Sequence, residues 1–320
     1  MRVAAIDCGT NSIRLLIAEL TEEGLTDIVR LMKVVRLGEG VDETGELSAA
    51  ALERTFAATR EYAELIAEHG AERVRFVATS ATRDARNRAH FANGIQKILG
   101  VEPEVISGQE EAALSFTGAL SALRPGAAEP VLVVDLGGGS TEFVLGGAAK
   151  GVEQSQSLDM GCVRFTERFL FSDPPTDQEI EKARGAIDLL LSDVDVDLDS
   201  VRTIVGVAGT ITTVAAHSLN LEAYLPEAIN GAELPIDTVQ ESCKQLLHSS
   251  RAARAALPFM HPGRVDVIGA GALIWCQILQ AVVNATDGNV TTVTTSEHDI
   301  LDGIALSIAG TDATATETTR

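Results

Sequence analysis

The sequence predicts an α/β protein built in two halves, and three observations support this fold class. The chain has 320 residues, which at roughly 150 residues per domain is enough for two domains. Apolar runs typical of strands alternate with segments of helical periodicity. A short motif, in which an apolar residue and Asp precede Gly and Ser at fixed offsets, stands near the start of each half.

Composition narrows the class of protein further. Hydrophobic residues make up 45% of the chain and charged residues 22%, so the chain is too apolar to be largely disordered. Lys and Arg number 25 against 46 Asp and Glu, which gives a formal net charge of −21. Such a charge disfavours nonspecific binding to nucleic acid or to an anionic membrane, so we expect neither as a partner. A polyanionic ligand would need local cations.

Targeting and membrane signals are weak. The N-terminal segment carries Asp7, Arg14 and Glu19, where a signal peptide needs an unbroken apolar core. The longest apolar stretch, 268–283, contains Gln277 and is shorter than the about 18 residues that a membrane helix requires. We therefore predict a cytoplasmic protein. Its four cysteines show no CxxC spacing, so the sequence indicates neither a zinc site nor a disulfide framework.

The first half reads as strands followed by alternating helices and strands. Its predicted elements are strands at 2–7, 14–20 and 27–36, a helix at 48–70, a strand at 74–79, a helix at 85–99, a strand at 102–107 and a helix that begins near Gln109. The last of these helices breaks up at 124–130, where two prolines and a glycine predict a domain boundary.

The second half repeats the pattern. Residues 131–147 read as strand, glycine turn and strand, and 204–210 read as a strand that leads into a helix. These boundaries predict an N-terminal domain at 1–125 and a C-terminal domain at 126–310. Residues 311–320 lack periodicity and bulky apolar groups, so they are predicted to be a disordered tail.

The repeated motif predicts a phosphate-binding loop in each half. Glycine lets consecutive backbone N–H groups converge on an anion, and an Asp at the end of the preceding strand can hold a cation or its water. Two ordinary hairpins with Gly turns would also explain the pattern, but its occurrence twice at equivalent places favours a phosphate and Mg²⁺. The candidate phosphate-binding residues are Gly9, Thr10, Asn11 and Ser12 in the first loop and Gly137, Gly138, Gly139 and Ser140 in the second, with Asp7 and Asp135 as candidate metal ligands.

A third glycine loop, 206–210, ends a strand and opens a helical stretch. Free N–H groups and the helix dipole favour an anion at such a position, so Gly209 and Thr210 are further candidates for phosphate binding. The loop lacks the spacing of a dinucleotide-binding fold and of a P-loop.

Three glutamates have different predicted roles. Ser107 and Glu110 form the S-x-x-E pattern of a capping box, so Glu110 has a structural explanation. Glu111 lies about 100° further around the helix, where its carboxylate could act on a water molecule. Its alternative role is that of a second acidic residue that favours the helix N-terminus. Glu142 shares a strand face with Ser140 and could reach a metal beside Asp135, unless it simply faces solvent.

Basic residues concentrate in one segment of this acidic chain. Between 71 and 98 six cationic side chains stand against two anionic ones, so a polyanion could dock there. An ordinary charged helix surface is the alternative. The cations are Arg73, Arg75, Arg83, Arg86, Arg88 and Lys97.

These motifs together resemble the exopolyphosphatase/guanosine pentaphosphate phosphohydrolase (Ppx/GppA) family. The resemblance is carried by IDCGTNSIRLL, ATSATRDARN, VISGQEEA, VVDLGGGSTEFV, MGCVRFTERF and GVAGTITT, whose order and spacing match from residue 2 to about 310. The family implies the actin, sugar kinase and heat-shock ATPase superfold, with two ribonuclease-H-like domains and an active-site cleft between them. The chain resembles the short, two-domain type of the family.

The resemblance also implies roles for individual residues. Glu111 matches the family's catalytic glutamate, Asp135 and Glu142 match its metal-site acids, and Arg83 matches its loop arginine. Two positions depart from the pattern: Leu301 stands where many relatives have an arginine, and Arg14 stands where many have a histidine. The sequence therefore predicts one substrate-binding cation fewer at position 301.

The predicted activity is hydrolysis of the terminal phosphoanhydride of inorganic polyphosphate, with Mg²⁺ or Mn²⁺ as the metal. Guanosine pentaphosphate is the alternative substrate. An ATP-dependent small-molecule kinase and a noncatalytic actin-like nucleotide sensor are the alternatives from other classes. A homodimer is the default expectation for a soluble enzyme.

Overall fold

A computed structural model describes residues 1–21, 24–124 and 126–310 of the chain. Its strands are β1 Arg2–Cys8, β2 Ser12–Thr21, β3 Gly24–Val34, β4 Arg73–Ala78, β5 Glu104–Val105, β6 Val131–Leu136, β7 Thr141–Gly147, β8 Gly151–Leu158, β9 Thr203–Val207, β10 Glu233–Pro235 and β11 Thr292–Thr295. Its α-helices are α1 Val41–Thr44, α2 Ala49–Glu68, α3 Ser80–Asp84, α4 Arg88–Leu99, α5 Gly108–Ala119, α6 Cys162–Phe169, α7 Asp177–Ser192, α8 Gly209–Ser218, α9 Pro226–Ile229, α10 Ile236–His248, α11 Arg251–Ala255, α12 Ile268–Ala285 and α13 Ile300–Gly310. Three short 3₁₀ helices lie at Leu120–Ala122, Leu198–Ser200 and Pro262–Arg264.

The first compact unit, unit 1, contains a five-stranded sheet in the order β3-β2-β1-β4-β5. The strands β1, β2 and β3 form an antiparallel meander, and β4 and β5 join it in parallel with β1. Parallel neighbours need crossover connections, which α2 and the pair α3 and α4 supply.

The central strand β1 is buried on both faces, and its alternating side chains build two separate cores. Ala4, Ile6 and Cys8 belong to the core that includes residues of α2 and α4. Val3 and Ala5 belong to a second core that includes Leu114 of α5 and five apolar residues of α13. A strand whose faces are both covered has a continuous apolar sequence, as β1 does from Val3 to Ile6.

The division of the chain differs from the predicted boundary in one important respect. Unit 1 comprises Met1–Gly118 together with the segment from Ile300 onward, and the second compact unit, unit 2, comprises Ala119–Asp299. Helix α13 therefore belongs to unit 1, although the sequence analysis placed 126–310 in one domain. The physical reason is that the second face of the first sheet needs an apolar layer over it, and α13 supplies much of that layer. The predicted tail, 311–320, lies outside the described residues.

Unit 2 repeats the architecture with a six-stranded sheet in the order β10-β11-β9-β6-β7-β8. Here β6, β7 and β8 form the antiparallel meander, while β9 and β11 follow in parallel beyond β6. Each unit thus has the strand order 3-2-1-4-5 of a ribonuclease-H-like domain, and β10 is an additional edge strand. The predicted α/β fold with two such domains is confirmed.

The apolar run near the C-terminus forms the core of unit 2. Helix α12 extends past that run to 18 residues, which by length and composition is enough to cross a membrane. In the structure 61% of it is buried, and Ile274, Trp275 and Ile278 pack into the core of unit 2.

Candidate active site

The two predicted phosphate loops are turns with the same internal hydrogen bond. Each connects the first two antiparallel strands of its unit. The N–H of Gly9 donates to the carbonyl of Ser12 at 3.0 Å, and the N–H of Gly137 donates to the carbonyl of Ser140 at 3.0 Å. The motif repeated in the sequence is therefore repeated in the backbone.

The carbonyl groups of the three glycines in the second loop are held from one side. The N–H of Cys162 donates to Gly137 at 3.0 Å, and those of Val163 and Arg164 donate to Gly138 at 2.9 and 3.1 Å. The Nε–H of Arg164 donates to Gly139 at 2.8 Å. The beginning of α6 thus fixes the orientation of three successive peptides.

The first loop is held in a similar way by 35–38, the segment that follows β3. Val35 and Arg36 donate their N–H groups to the carbonyl of Asn11 at 3.1 and 2.9 Å, and Gly38 donates to that of Thr10 at 2.9 Å. Arg36 has φ +49°, a left-handed conformation that is costly for a residue with a side chain. The predicted strand ends early, at Val34, because this segment turns back over the loop.

Two candidate metal ligands face one another in unit 2. Asp135 of β6 and Glu142 of β7 are direct cross-strand partners, so their side chains lie on the same face of the sheet. Both are buried, with 6% and 1% exposure. The hydroxyl of Ser157 on β8 donates to Glu142 at 2.8 Å. Adjacent buried carboxylates are hard oxygen ligands of the kind that Mg²⁺ prefers, so this pair fits a divalent cation.

Asp7 has a different environment from Asp135. Its Oδ2 accepts from Nε and Nη2 of Arg14 at 2.9 and 2.6 Å, across the β1–β2 pair. The arginine that departs from the family pattern therefore neutralises the first aspartate. Within the described ranges 1–21, 24–124 and 126–310, no group of three or more His, Cys, Asp or Glu side chains could share a metal ion.

The predicted catalytic glutamate lies in the first turn of α5 and is paired with the predicted loop arginine. Glu111 is 7% exposed, and its Oε2 lies 3.2 Å from Nη1 of Arg83. Arg83 also donates to the carbonyl of Ile106 at 3.1 Å, and it is carried by α3, a short helix that the sequence analysis did not predict. The structure therefore brings Glu111 and Arg83 together.

Only half of the predicted capping box is formed. The hydroxyl of Ser107 accepts from the N–H of Glu110 at 3.2 Å, so Ser107 caps α5. The carboxylate of Glu110 instead forms an ion pair with Arg75 at 2.8 Å. The stronger attraction of a guanidinium explains why this side chain faces β4 rather than its own helix N-terminus.

Three cations of the basic segment bind other groups of the protein. Arg75 is bound by Glu104 and Glu110, and Arg73 donates to the carbonyl of Ile308 at 3.4 Å. Arg86 donates to the carbonyl of Thr44 at 2.9 Å and lies 3.6 Å from Glu46. These arginines hold protein groups together, and Arg83 is the one that lies beside Glu111.

The third glycine loop opens α8 through a strained residue. Ala208 has φ +72°, and Gly209 and Thr210 begin the helix. Arg264, which the sequence analysis did not select, packs against this turn: a Cβ at Gly209 would lie 2.4 Å from its Nη2. Its Nη1 donates to the hydroxyl of Thr213 at 3.0 Å. Glycine at 209 therefore leaves room for a guanidinium beside the helix N-terminus.

Cys162 connects the second and third loops. Its N–H donates to the carbonyl of Gly137 at 3.0 Å. Gly271 packs against both Cys162 and Thr210, because a Cβ added there would lie 3.1 Å from the Cβ of Cys162 and 2.6 Å from the side chain of Thr210. Burial raises the pKa of the Cys162 thiol, so at neutral pH the group is a neutral thiol. The phosphate-loop residues of unit 2 thus form one contiguous cluster.

Leu301 occupies a core position. Its side chain is 1% exposed and packs with the apolar residues over the second face of the first sheet. The neighbouring Asp302 is held by Arg30 of β3 at 2.5 Å. In this chain position 301 stabilises the attachment of α13 and carries no cation.

The functional residues that the sequence analysis missed are separated from the glycine motifs by long stretches of chain. Arg164 follows Ser140 by 24 residues, and Arg264 follows Gly209 by 55. The motif MGCVRFTERF contains Arg164, but its letters do not indicate which group the guanidinium binds.

Comparison with known proteins agrees with this geometry. The family model described as Ppx/GppA phosphatase family matches residues 16–307. The chain is 49% identical to Exopolyphosphatase 2 of Mycobacterium tuberculosis over 97% of this chain and 99% of that protein. The crystal structure of an exopolyphosphatase-like protein superimposes with a TM-score of 0.92 at 44% identity, covering 96% of this chain and 97% of the other. An Aquifex aeolicus Ppx/GppA family member gives a TM-score of 0.80 at 33% identity over 98% of both chains. The chain belongs to the Ppx/GppA phosphatase family.

Proposed function

We propose that this protein is an exopolyphosphatase, which hydrolyses the terminal phosphoanhydride of inorganic polyphosphate and releases phosphate. The observation that carries the proposal is the pair of glycine turns, which share one internal hydrogen bond and whose carbonyl groups are held by a neighbouring segment of the chain. In unit 2 the turn adjoins the buried carboxylates Asp135 and Glu142. The 49% identity to a protein named Exopolyphosphatase 2 supports polyphosphate as the substrate.

The residues divide the chemistry among them. The amide groups of the glycine turns and the N-terminus of α8 bind phosphoryl oxygens, because their N–H groups carry partial positive charge. The guanidinium of Arg264 adds a full positive charge beside Gly209. In a protein with a net charge of −21, these local donors provide the compensation that a polyanion needs.

Glu111 acts as the general base. Its carboxylate accepts a proton from a water molecule as the water oxygen attacks the terminal phosphorus, and the bridging P–O bond breaks in line with the attack. The products are phosphate and a chain shorter by one unit. Arg83 keeps the Glu111 carboxylate in place, because its Nη1 lies 3.2 Å from Oε2 of Glu111.

Asp135 and Glu142 are the residues that would hold a divalent cation, and Ser157 would orient Glu142. We propose Mg²⁺, with Mn²⁺ as a substitute, because carboxylate oxygens suit both ions. When bound, such an ion neutralises charge on the transferring phosphoryl group. The ion pair with Arg14 makes Asp7 the less favourable ligand of the two strand-end aspartates.

Phosphate release by the purified protein tests the proposal. The assay compares short polyphosphate, long polyphosphate and guanosine pentaphosphate, with Mg²⁺, with Mn²⁺ and with a chelator. We expect release from polyphosphate that needs the metal and that falls by orders of magnitude in Glu111→Gln, a variant with nearly unchanged volume. Release only from guanosine pentaphosphate would reassign the substrate, and full activity in Glu111→Gln would remove this residue from the mechanism.

A further inference from the structure

Arg164 is almost buried at the start of α6, and its side chain binds the backbone of the second glycine turn. Its side chain is 12% exposed, and its Nε–H donates to the carbonyl of Gly139 at 2.8 Å. The guanidinium also lies 3.6 Å from the carboxylate of Asp159, which is 72% exposed. Because the Asp159 carboxylate is largely in water, this ion pair contributes little. The bond to Gly139 is the contact by which the guanidinium reaches the glycine turn.

Peptide geometry gives that contact a consequence for the ligand side of the turn. In a trans peptide the C=O of one residue and the N–H of the next point in opposite directions. Holding the carbonyls of Gly137, Gly138 and Gly139 therefore directs the N–H groups of Gly138, Gly139 and Ser140 away from α6. In the described part of the chain these three amides donate to no backbone carbonyl.

The third of these peptides depends on a side chain. The first two carbonyls are held by backbone N–H groups of α6, which any residue except proline could supply. The Gly139 carbonyl is held by the guanidinium of Arg164. A substitution at this position therefore releases one peptide and leaves the other two fixed.

The start of α6 lies so close to the turn that the two backbones leave no room for a side chain between them. A Cβ at Gly161 would lie 2.3 Å from the carbonyl carbon and oxygen of Gly138 and 2.5 Å from the nitrogen of Gly139. A glycine also packs against the first turn, where a Cβ added at Gly38 would lie 2.3 Å from Cγ2 of Thr10. Both units thus pack a glycine against the turn so that donors can reach its carbonyls.

We propose that Arg164 is a positioning residue that fixes the Gly139–Ser140 peptide so that the Ser140 N–H faces the terminal phosphate. Arg164 acts through the backbone and does not touch the substrate. The inference rests on the proposed function, since it assigns a phosphate to the ligand side of this turn.

Three substitutions in the full chain separate this role from others. Arg164→Met removes the donor and keeps an apolar stem, Arg164→Lys keeps a donor of different geometry, and Asp159→Asn removes the ion pair alone. Binding of tripolyphosphate is measured by calorimetry and hydrolysis by phosphate release. A misplacement of about 1 Å, caused by a mutation away from the reacting atoms, can cost about 100-fold, so we expect kcat/KM to fall by about that factor in Arg164→Met. We expect partial recovery in Arg164→Lys and a change within about twofold in Asp159→Asn.

The Ser140 amide resonance provides a readout that general loss of stability would not move. In the unmodified protein and in Asp159→Asn, tripolyphosphate should shift the ¹H and ¹⁵N signals of Ser140. In Arg164→Met that shift should be lost, while the shifts of Gly138 and Gly139 persist. If Arg164→Met does not fold, the same comparison is made with Arg164→Lys, for which a reduced Ser140 shift is expected.

Two results would overturn the proposal. Unchanged kcat/KM with an unchanged Ser140 shift in Arg164→Met would show that the peptide needs no such support. Loss of the Gly138 and Gly139 shifts together with the Ser140 shift in Arg164→Met would show that the guanidinium does more than hold one peptide. Failure of the proposed function looks different, because the unmodified protein would then bind tripolyphosphate, with the Ser140 shift, and release no phosphate. No binding at all would refute both.

Discussion

Gly38 should not tolerate a methyl group, because it lies against the first glycine turn. A Cβ at this position would lie 2.3 Å from Cγ2 of Thr10, 3.1 Å from Cβ of Ala81 and 3.3 Å from Cβ of Thr10. Carbon atoms in van der Waals contact stay about 3.5–4.0 Å apart, so the segment must move by more than about 1 Å. Overpacking of this kind costs about 1–3 kcal/mol.

The same displacement weakens a hydrogen bond. The N–H of Gly38 donates to the carbonyl of Thr10 at 2.9 Å, and such a bond contributes about 1 kcal/mol. We therefore expect Gly38→Ala to lower the free energy of unfolding of unit 1 by about 2–4 kcal/mol. The matched compensating change is Thr10→Ser, which removes the clashing Cγ2 and keeps the hydroxyl that shares a 2.9 Å hydrogen bond with Ser80. The double variant should recover more than half of the loss.

The assay must report on unit 1. The single tryptophan, Trp275, lies in unit 2, so its fluorescence serves as an internal control that should change little. Native-state hydrogen exchange of peptides from β1 and β2 gives the free energy of opening of unit 1. The reasoning is refuted if the free energy of opening of Gly38→Ala lies within about 0.5 kcal/mol of the parent value. It is also refuted if Thr10→Ser lowers the stability of Gly38→Ala further, with no favourable coupling in the double-mutant cycle.

Three further predictions concern unit 2. Ser157→Ala removes the hydroxyl that donates to Glu142, so we expect activity to require about 10- to 100-fold more Mg²⁺, and an unchanged Mg²⁺ titration would contradict the proposed cation site. Gly185→Ala should raise stability by about 1 kcal/mol in thermal or urea unfolding, because Gly185 lies inside α7 and a Cβ there meets open space; a loss of stability would show an unrecognised contact. Burial lowers the pKa of His217 below its usual 6.5, so as pH falls the unfolded chain is protonated at this group before the folded protein is. The free energy of unfolding should therefore decrease as pH drops from about 7 through 6.5 toward the lowered pKa. The loss between pH 7 and pH 5 should shrink in His217→Leu, and an equal loss in both proteins would assign the effect to other groups.

Much of the fold could be predicted from local sequence. Short apolar runs between helical segments identified β1, β2, β4, β6, β7 and β9. Strands that are buried at the centre of a sheet have apolar side chains on both faces, so their sequences are continuous apolar runs. The repeated Asp-x-Gly motif identified both turns, since a tight turn between a strand and its antiparallel neighbour restricts which residues fit. Glu111 and Arg83 were selected by motif and prove to be in contact.

The sequence by itself determined the main strands and helices of the first half, the strands β6, β7 and β9 of the second, the two glycine turns and the residue types that could bind phosphate and a cation. The tertiary structure decided what each of these groups faces. Only packing reveals that α13 returns to cover the first sheet and buries Leu301, since the uncovered face belongs to strands nearly 300 residues earlier. Only packing brings Arg164 to Gly139. A side chain's partner is set by distances between segments remote in the chain, and local patterns carry no information about those distances.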